Sequence, residues 1–239
     1  MIFSLTSLSA HNLEQSVNSE DRSPDNVARD IYRHPYETLS FFGIKPDMTV
    51  VELNPGGGWY TEILANYIHY PGTLITAQGS YYFEGFEKKM NSNPMYGRVE
   101  IVNLNSNLAE PNSVDAVITF RNLHNWLGPE MDSIFGNSFR ALKPGGSFGV
   151  VEHRAKPGTD FETMKTSGYV TEDHAIEVAL KHGFELVEKS EINANPKDTK
   201  DHAKGVWTLP PTYRLKDKDK EKYSAIGESD RMTLLFRKP

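Results

Sequence analysis

The stretch that decides the fold is Val50-Val51-Glu52-Leu53-Asn54-Pro55-Gly56-Gly57-Gly58-Trp59-Tyr60-Thr61. An apolar, β-branched run leads into three glycines and then into a segment with apolar residues at helical spacing, which is the pattern of a strand, a tight turn and a helix. Glycines let the backbone pass close to a ligand, and free N–H groups at a helix start favour a carboxylate or phosphate. The stretch therefore predicts an open α/β sheet that binds a ligand at its first turn.

Strand-like and helix-like segments alternate along the rest of the chain. The predicted strands are 49–53, 73–77, 99–102, 114–120, 147–151, 184–191 and 232–236, and the predicted helices between them are 59–69, 83–90, 129–142 and 171–182. The first five strands lack polar alternation and are separated by helix-length segments, which is typical of a parallel sheet covered on both faces. The last two have no helix between them and predict an antiparallel pair. The predicted fold class is a Rossmann-like three-layer α/β sandwich with a seven-stranded, mostly parallel sheet, a closing antiparallel pair and additional amino-terminal helices.

The composition excludes several classes of function. The 239 residues carry 26 Lys and Arg against 32 Asp and Glu, a formal net charge of -6, so we expect no nucleic-acid partner. Cysteine is absent, which excludes disulfides, thiolate nucleophiles and zinc–thiolate sites. No stretch approaches the roughly 18 to 20 consecutive apolar residues of a membrane helix. We therefore expect a soluble protein without a membrane span, and the sequence leaves its oligomeric state open.

We predict a tail followed by one domain. Residues 1–22 are either the remainder of a signal peptide or a frayed terminus, because the start is mildly apolar but lacks a positive region, and we expect little order before Ser23. The domain, 23–239, contains cap helices in 23–46 and a carboxy-terminal excursion in 192–230. Ser23 and the proline after it predict a helix that continues to about Arg33. A cytoplasmic location is favoured, with export as the alternative.

Four segments together resemble the motifs of class I S-adenosylmethionine-dependent methyltransferases. Glu52, separated by three residues from a Gly-x-Gly spacing, is similar to the first motif of that family. Further segments match it in order: Ser113–Ile118, Arg121–Trp126 and Leu142–Ser147. The runs 32–35 and 43–46 resemble a bacterial subgroup of predicted methyltransferases, some of them with export signals. The resemblance covers about 25–239 and implies an enzyme that transfers a methyl group from S-adenosylmethionine to an unidentified small or medium-sized acceptor.

The resemblance also implies which residues bind the cofactor. They are Glu52, Asn54, Gly56, Gly58 and Gln78, with Asn105 and Asn122 near the adenine. Two of them depart from the family pattern. Asn54 replaces a glycine, although Asn tolerates positive φ better than most residues. Gln78 stands where the family has an acid that binds the ribose hydroxyls, and a neutral amide lacks the charge-assisted strength of that contact.

Three residues are candidates for the chemistry: His124, His153 and Arg121. The histidines follow the fourth and fifth predicted strands, at the same edge of the sheet, and a histidine accepts a proton near neutral pH. Arg121 is able to hold an anionic substrate group. Each of the three has a structural alternative, a hydrogen-bonded histidine or an ordinary ion pair. Glu152 is expected to face away from His153, because neighbours in a strand alternate.

Several other side chains are candidates for contacts around the site. Trp59, Tyr60 and Trp126 would stack on a ligand or pack in the core, Arg33 and His34 would lie on a lid, and Tyr169 would lie on the acceptor side. The two histidines and Glu152 could also form a two-His, one-carboxylate metal set. No H-x-x-H or H-E-x-x-H spacing occurs in the chain, so we predict no metal site.

Two rival functions stay open. One is a non-catalytic S-adenosylmethionine-binding protein, suggested by the two departures. The other is an NAD(P)-dependent Rossmann oxidoreductase, which the glycine spacing and Gln78 disfavour. For the methyltransferase itself, the chain has Arg121-Asn122-Leu123-His124 where amino-methylating enzymes have an N-P-P-Y-type sequence. This argues against nucleobases or glutamine as acceptors.

Overall fold

The computed structural model describes residues 12–81 and 83–239. The strands are β1 (Thr49–Leu53), β2 (Thr73–Gln78), β3 (Val99–Asn103), β4 (Val114–Phe120), β5 (Leu142–His153), β6 (Glu185–Ser190) and β7 (Arg231–Arg237). The helices are α1 (Leu13–Val17), α2 (Pro24–Val27), α3 (Asp30–Arg33), α4 (Pro35–Phe41), α5 (Trp59–Tyr67), α6 (Phe83–Met90), α7 (Leu123–Trp126), α8 (Pro129–Ala141), α9 (Phe161–Ser167), α10 (Glu172–Lys181) and α11 (Lys220–Ile226). No described helix is both long enough and apolar enough to cross a bilayer.

The seven strands form one sheet in the order β3-β2-β1-β4-β5-β7-β6. Strands β1 to β5 pair in parallel, and β7 runs antiparallel to both β5 and β6. The predicted fold class, including the closing antiparallel pair, is confirmed. The strand order reverses between β1 and β4, and Leu53 of β1 lies opposite Ala77 of β2 and Thr119 of β4. The turn after β1 therefore lies at the switch point, where open α/β sheets bind ligands.

Both faces of the sheet are covered by helices. In β1, Val51 and Leu53 belong to the core on the side of α8 and α10, whereas Val50 belongs to the core on the side of α4 and α5. Alternate residues thus face opposite layers. Ile63 of α5 and Phe135 of α8 are fully enclosed in their respective layers, and burying such a side chain contributes about 2 kcal/mol.

The amino-terminal region differs from the prediction. Asn12 and Gln15 form a reciprocal capping box that starts α1, and Leu13 and Val17 are buried against the α5 side of the core. The expectation of little order before Ser23 is therefore wrong for residues 12–22, while residues 1–11 lie outside the described residues. The predicted helix up to Arg33 is also interrupted, since α2 and α3 are separate and the Ser23 side chain makes no cap hydrogen bond.

One further element differs from the prediction, and one connection lacks a helix. Strand β5 begins at Leu142, five residues earlier than expected, because Leu142 already pairs with Val114 of β4, and a register irregularity follows before Ser147 pairs with Ala116. The connection 104–113 between β3 and β4 contains no helix. Asn103 accepts a hydrogen bond from the Asn105 N–H in a local turn, which competes with helix formation.

Candidate active site

The first turn holds its backbone in the left-handed region. The φ angles of Asn54, Gly56 and Gly58 are 46°, 59° and 76°, which explains the glycines and the tolerated asparagine. Asn54 joins the ends of three strands, because its Oδ1 accepts from the Gly79 N–H at 3.3 Å and its Nδ2 donates to Asn122 Oδ1 at 2.9 Å. A Cβ atom on Gly56 would meet no atom within 4 Å. The backbone of the turn is thus accessible to a ligand.

Two buried polar side chains flank this turn. The Glu52 carboxylate accepts from Thr61 Oγ1 at 2.6 Å, and burial raises its pKa to about 7. Gln78 is fully buried, and its Oε1 has no hydrogen-bond partner among the described residues. An unpartnered acceptor at the end of β2 suits the hydroxyls of a ribose. These donors and acceptors therefore fit the polar groups of a nucleoside cofactor.

A narrow cleft opens beside the turn. Its interior volume is about 20 Å³, room for about one water molecule. The lining residues include Arg33, Glu52, Tyr60, Phe120 and Arg121. The rings of Tyr60 and Phe120 stack on each other at 3.5 Å. In this conformation the polar groups fit a nucleoside, but the volume of the cleft is too small to hold one.

The two candidate histidines lie side by side, with ring centroids 5.2 Å apart. The Nδ1 of His124 is 2.9 Å from Glu152 Oε1. Because a carboxylate only accepts hydrogen bonds, Nδ1 carries the hydrogen and Nε2 keeps its lone pair in the neutral ring. No described residue forms a hydrogen bond with this Nε2. His124 is therefore arranged as a proton acceptor.

His153 is in a different environment from its neighbour. Its Nδ1 lies 2.5 Å from the hydroxyl of Ser229. Burial, and then the nearby charge of His124, lower its pKa well below the usual value, so this ring is neutral at physiological pH. The other carboxylate oxygen of Glu152 accepts from the Leu123 N–H, and Oε1 also accepts from the His153 N–H. The expectation that Glu152 faces away from His153 is therefore wrong.

The donor atoms of His124, Glu152 and His153 lie within 4.8 Å of one another, close enough to bind one metal ion. The structure thus assembles the set that the sequence left as an alternative. However, the carboxylate already accepts three hydrogen bonds, and the positive charges of the arginines that act on His153 would repel a cation. We therefore treat the set as a hydrogen-bonded histidine pair and assign no metal to it.

The other predicted residues are divided between the cleft and its surroundings. Arg121 lies in the cleft beside Arg33, at a φ of 61°, rather than within the histidine pair. Asn122 joins β4 to β1 by donating to the Leu53 carbonyl and Thr119 Oγ1 at 3.1 Å each. Asn105 is exposed on the loop after β3 and does not line the cleft.

The predicted contact residues mostly pack within the protein. Trp126 is buried in the core, and Arg22 and Arg33 lie over the ring of Trp59. The hydroxyl of Tyr169 donates to Asp198. These observations favour the packing alternative for Trp126, place Trp59 under two arginines at the cleft, and show a hydrogen-bonded Tyr169.

Sequence analysis missed the contribution of the 192–230 excursion. Trp207 packs edge-on against His124 with ring centroids 6.0 Å apart. Ser229 bonds His153, and Glu228 pairs with Arg33 of the amino-terminal helices at 3.5 Å. The available signal was an apolar Val206-Trp207 pair within an otherwise polar segment.

Comparison with known proteins gives the domain family and the fold. Residues 51–150 match a family model described as a methyltransferase domain. No curated protein matches the chain. The solved structures that are similar to it include a SAM-dependent methyltransferase from Aquifex aeolicus, with 14% identity, a TM-score of 0.63 and coverage of 96% of this chain and 100% of that chain. Geranyl diphosphate C-methyltransferase from Streptomyces coelicolor A3(2) has 11% identity, a TM-score of 0.61 and coverage of 96% and 89%.

At these identities the solved structures establish the fold alone. A [4+2]-cyclase with a TM-score of 0.61 has the same fold, so the reaction depends on the site and not on the fold. Residues 51–150 match a methyltransferase domain, and the fold is that of solved S-adenosylmethionine-dependent methyltransferases, so both comparisons support the resemblance found in the sequence.

Proposed function

We propose that the protein methylates a protonated oxygen or nitrogen of a small molecule, with His124 as the general base. The observation that carries this proposal is the His124–Glu152 contact of 2.9 Å, which leaves Nε2 as a free acceptor at the carboxyl edge of the sheet. A methyl acceptor that keeps a proton needs such a base. Glu152 holds the tautomer and the orientation of the ring.

A small acceptor is supported by the shape of the site. Arg33 of the amino-terminal helices lines the narrow cleft, and Trp207 of the excursion packs against His124. Some solved structures with this fold act on small molecules, as the names sarcosine dimethylglycine methyltransferase and geranyl diphosphate methyltransferase state. A folded protein or a duplex would not reach the covered histidine pair.

The predicted cofactor-binding residues are proposed to hold S-adenosylmethionine, which supplies an electrophilic methyl group when bound. The backbone amides at Gly56 and Gly58 would bind its carboxylate, as free N–H groups near a helix start do. Gln78 Oε1 would accept from the ribose, Glu52 would lie near the cationic part, and Asn54 would hold the turn in shape. Asn122 is proposed to act by fixing β4 against β1, and Asn105 by bordering the adenine.

The remaining side chains are proposed to position the acceptor and exclude water. Trp207 covers the His124 ring, and neutral His153 fills the space behind it. Because positioning contributes most to an in-line displacement, these contacts matter even though they exchange no proton. The proton of the acceptor passes to His124 Nε2 and from there to solvent when the site opens.

The test uses a labelled methyl donor with a small-molecule extract, together with calorimetry of S-adenosylhomocysteine. We expect His124→Asn to lower the labelling rate by about 10²- to 10⁴-fold while leaving S-adenosylhomocysteine affinity within twofold. His182→Asn is the matched control, because His182 also bonds a carboxylate, Asp132, but lies outside the site. Equal rates for both variants would contradict the role of His124.

The same experiments test the rival functions. Binding of S-adenosylhomocysteine without labelling of any small molecule would favour a non-catalytic binding protein. The small volume of the cleft is compatible with that function. Binding of NAD in place of S-adenosylhomocysteine would favour an oxidoreductase and would overturn the proposed function.

A further inference from the structure

Four arginines surround a single carboxylate between the amino-terminal helices and β7. Glu228 accepts from Arg29 Nε at 2.6 Å and from Arg231 Nη2, and its Oε2 lies 3.5 Å from Arg33 Nε. Arg121 completes the set from the end of β4 and interacts electrostatically with the other members. We call these five residues the arginine pocket.

The donors of the arginine pocket exceed its acceptors. The side chains of Arg33, Arg231 and Glu228 are only 2–3% exposed. Within the described residues, Arg33 Nη2, Arg29 Nη2 and Arg231 Nε are buried without a hydrogen-bond partner. The Arg121 guanidinium forms no hydrogen bond or ion pair with any described residue. Buried donors of charged groups are costly when unpartnered, so the pocket lacks an acceptor.

The electrostatics show the same imbalance. Burial, followed by repulsion from the other arginines, lowers the pKa of Arg121 to about 10 and that of Arg33 well below its usual value. Burial alone raises the pKa of Glu228, but the charges of Arg231, Arg33 and Arg29 together lower it to about 2. Three positive charges are left without a counter-charge.

Other nearby carboxylates do not supply the counter-charge that the arginine pocket lacks. Asp30 is held by both Nη atoms of Arg22 at 2.7 and 2.8 Å. Glu52 lines the same cleft, but its pKa of about 7 keeps a large fraction of it protonated at neutral pH. The missing partner is therefore an anion from outside the protein.

The arginine pocket lies next to the candidate active site. Arg33 and Arg121 line the cleft at the switch point of the sheet, and the positive charges of Arg121, Arg33 and Arg231 also act on His153 of the histidine pair. In the proposed function the amides of the first turn take the cofactor's carboxylate. The guanidinium groups then remain for the acceptor.

We propose that the methyl acceptor carries a carboxylate or phosphate group, which Arg33 and Arg121 bind in the cleft with Arg231 behind them. Guanidinium groups match the paired oxygens of both anions and bind them through two parallel hydrogen bonds. This proposal rests on the proposed function and adds the class of acceptor. An acceptor without an anionic group leaves the three charges unbalanced and binds poorly.

The test measures anion binding to the full chain saturated with S-adenosylhomocysteine. Inorganic phosphate and succinate are titrated separately by calorimetry, which distinguishes the two anion types. We expect one of them to bind, at least tenfold more weakly to Arg121→Gln and to Arg33→Gln, and nearly normally to Arg121→Lys, which keeps the charge. Arg98→Gln, at an exposed arginine, is the matched control and is expected to equal the wild type.

A second arm separates the acceptor from the cofactor. S-adenosylhomocysteine and 5′-methylthioadenosine, which lacks the amino-acid group, are compared in Arg121→Gln. Unchanged affinity for both supports the proposal. A tenfold loss for S-adenosylhomocysteine alone would assign the arginines to the cofactor and overturn it, as would failure of both anions to bind the saturated wild type. If S-adenosylhomocysteine itself does not bind the wild type, the proposed function fails, and the acceptor class proposed here fails with it.

Discussion

Two arginine clusters contact the same short segment, Glu228 to Arg231, and differ in how their charges are balanced. In the arginine pocket four guanidinium groups share Glu228. On the other side, Arg154 donates to Asp230 at 2.9 Å through two nitrogens, to Glu191 at 2.7 Å through two, and to Glu172 at 3.1 Å. Lys200 also pairs with Asp230 and Lys189 with Glu172. We call these three cations and three carboxylates the paired cluster.

The larger cavity lies beside the cluster whose arginine has enough partners, and the smaller one lies beside the arginine pocket. The cavity next to the paired cluster has a volume of about 350 Å³, far more than the cleft, yet its arginine has no lack of partners and its pKa is raised, first by the hydrogen bond to Glu191. Cavity volume alone therefore does not identify the candidate active site of this protein. A cluster whose charges are balanced stabilises the fold, whereas one with unbalanced charge needs a ligand.

The largest expected effect follows from removing the central carboxylate of the arginine pocket. Glu228→Gln leaves buried guanidinium groups without a counter-charge, and we expect it to lower the free energy of unfolding at pH 7 by about 3 kcal/mol. Urea unfolding measures this change. Glu221→Gln, at an exposed position of α11, is the matched control with no expected change.

The pH dependence of the unfolding free energy, compared between wild type and Glu228→Gln, tests the same ion pairs further. The pKa of Glu228 is about 2 in the folded protein, against 4.5 as its ordinary value. A lowered carboxyl pKa stabilises the fold above the ordinary value, and this stability is lost as the pH falls from about 4.5 towards 2. The difference between wild type and Glu228→Gln should shrink over that interval. A difference that stays constant down to pH 2 would contradict the ion pairs.

The next effect concerns the paired cluster. Arg154→Gln removes hydrogen bonds to three carboxylates, of which Asp230 is buried. Asp230 keeps Lys200 as its cationic partner at 2.7 Å and the Asn195 N–H as a donor. Because the Arg154 side chain is 17% exposed, we expect a loss of about 2 kcal/mol in unfolding free energy. Affinity for succinate and phosphate should stay at the wild-type level. Weakened anion binding in this variant would erase the distinction between the clusters.

The smallest expected effect is a gain in stability, from a substitution of Arg121. Arg121 holds a φ of 61° and an unbalanced charge, and Arg121→Asn relieves both because asparagine tolerates the left-handed region. We expect the unliganded variant to be more stable than the wild type by about 1 kcal/mol, measured by thermal unfolding. Arg98→Asn provides the control. A destabilised Arg121→Asn protein would mean that this arginine supports the fold.

Local patterns account for most of the fold. Strand β4 and helix α6 have the predicted bounds, because apolar runs and their periodicity are local properties of the sequence. Helix α1 was missed since it is only five residues long, and its stability comes from a capping box and from contacts with α5. Neither the capping box nor the packing against α5 can be deduced from the spacing of apolar residues.

The candidate site was predictable only in part. The first turn, Gln78 and the two histidines were placed at one edge because the ends of parallel strands meet there, and their roles stay predictions. The arginine pocket joins Arg29 to Glu228 across 199 positions of the chain. Charge pairs at that separation have no local signature, which is why no site residue was predicted in the excursion.

The narrowness of the cleft has a consequence for ligand exchange. Under the proposed function a nucleoside product leaves after every methyl transfer, yet the cleft admits about one water molecule. The cleft would therefore have to widen once per catalytic cycle, and opening motions of this kind in other enzymes take microseconds to milliseconds.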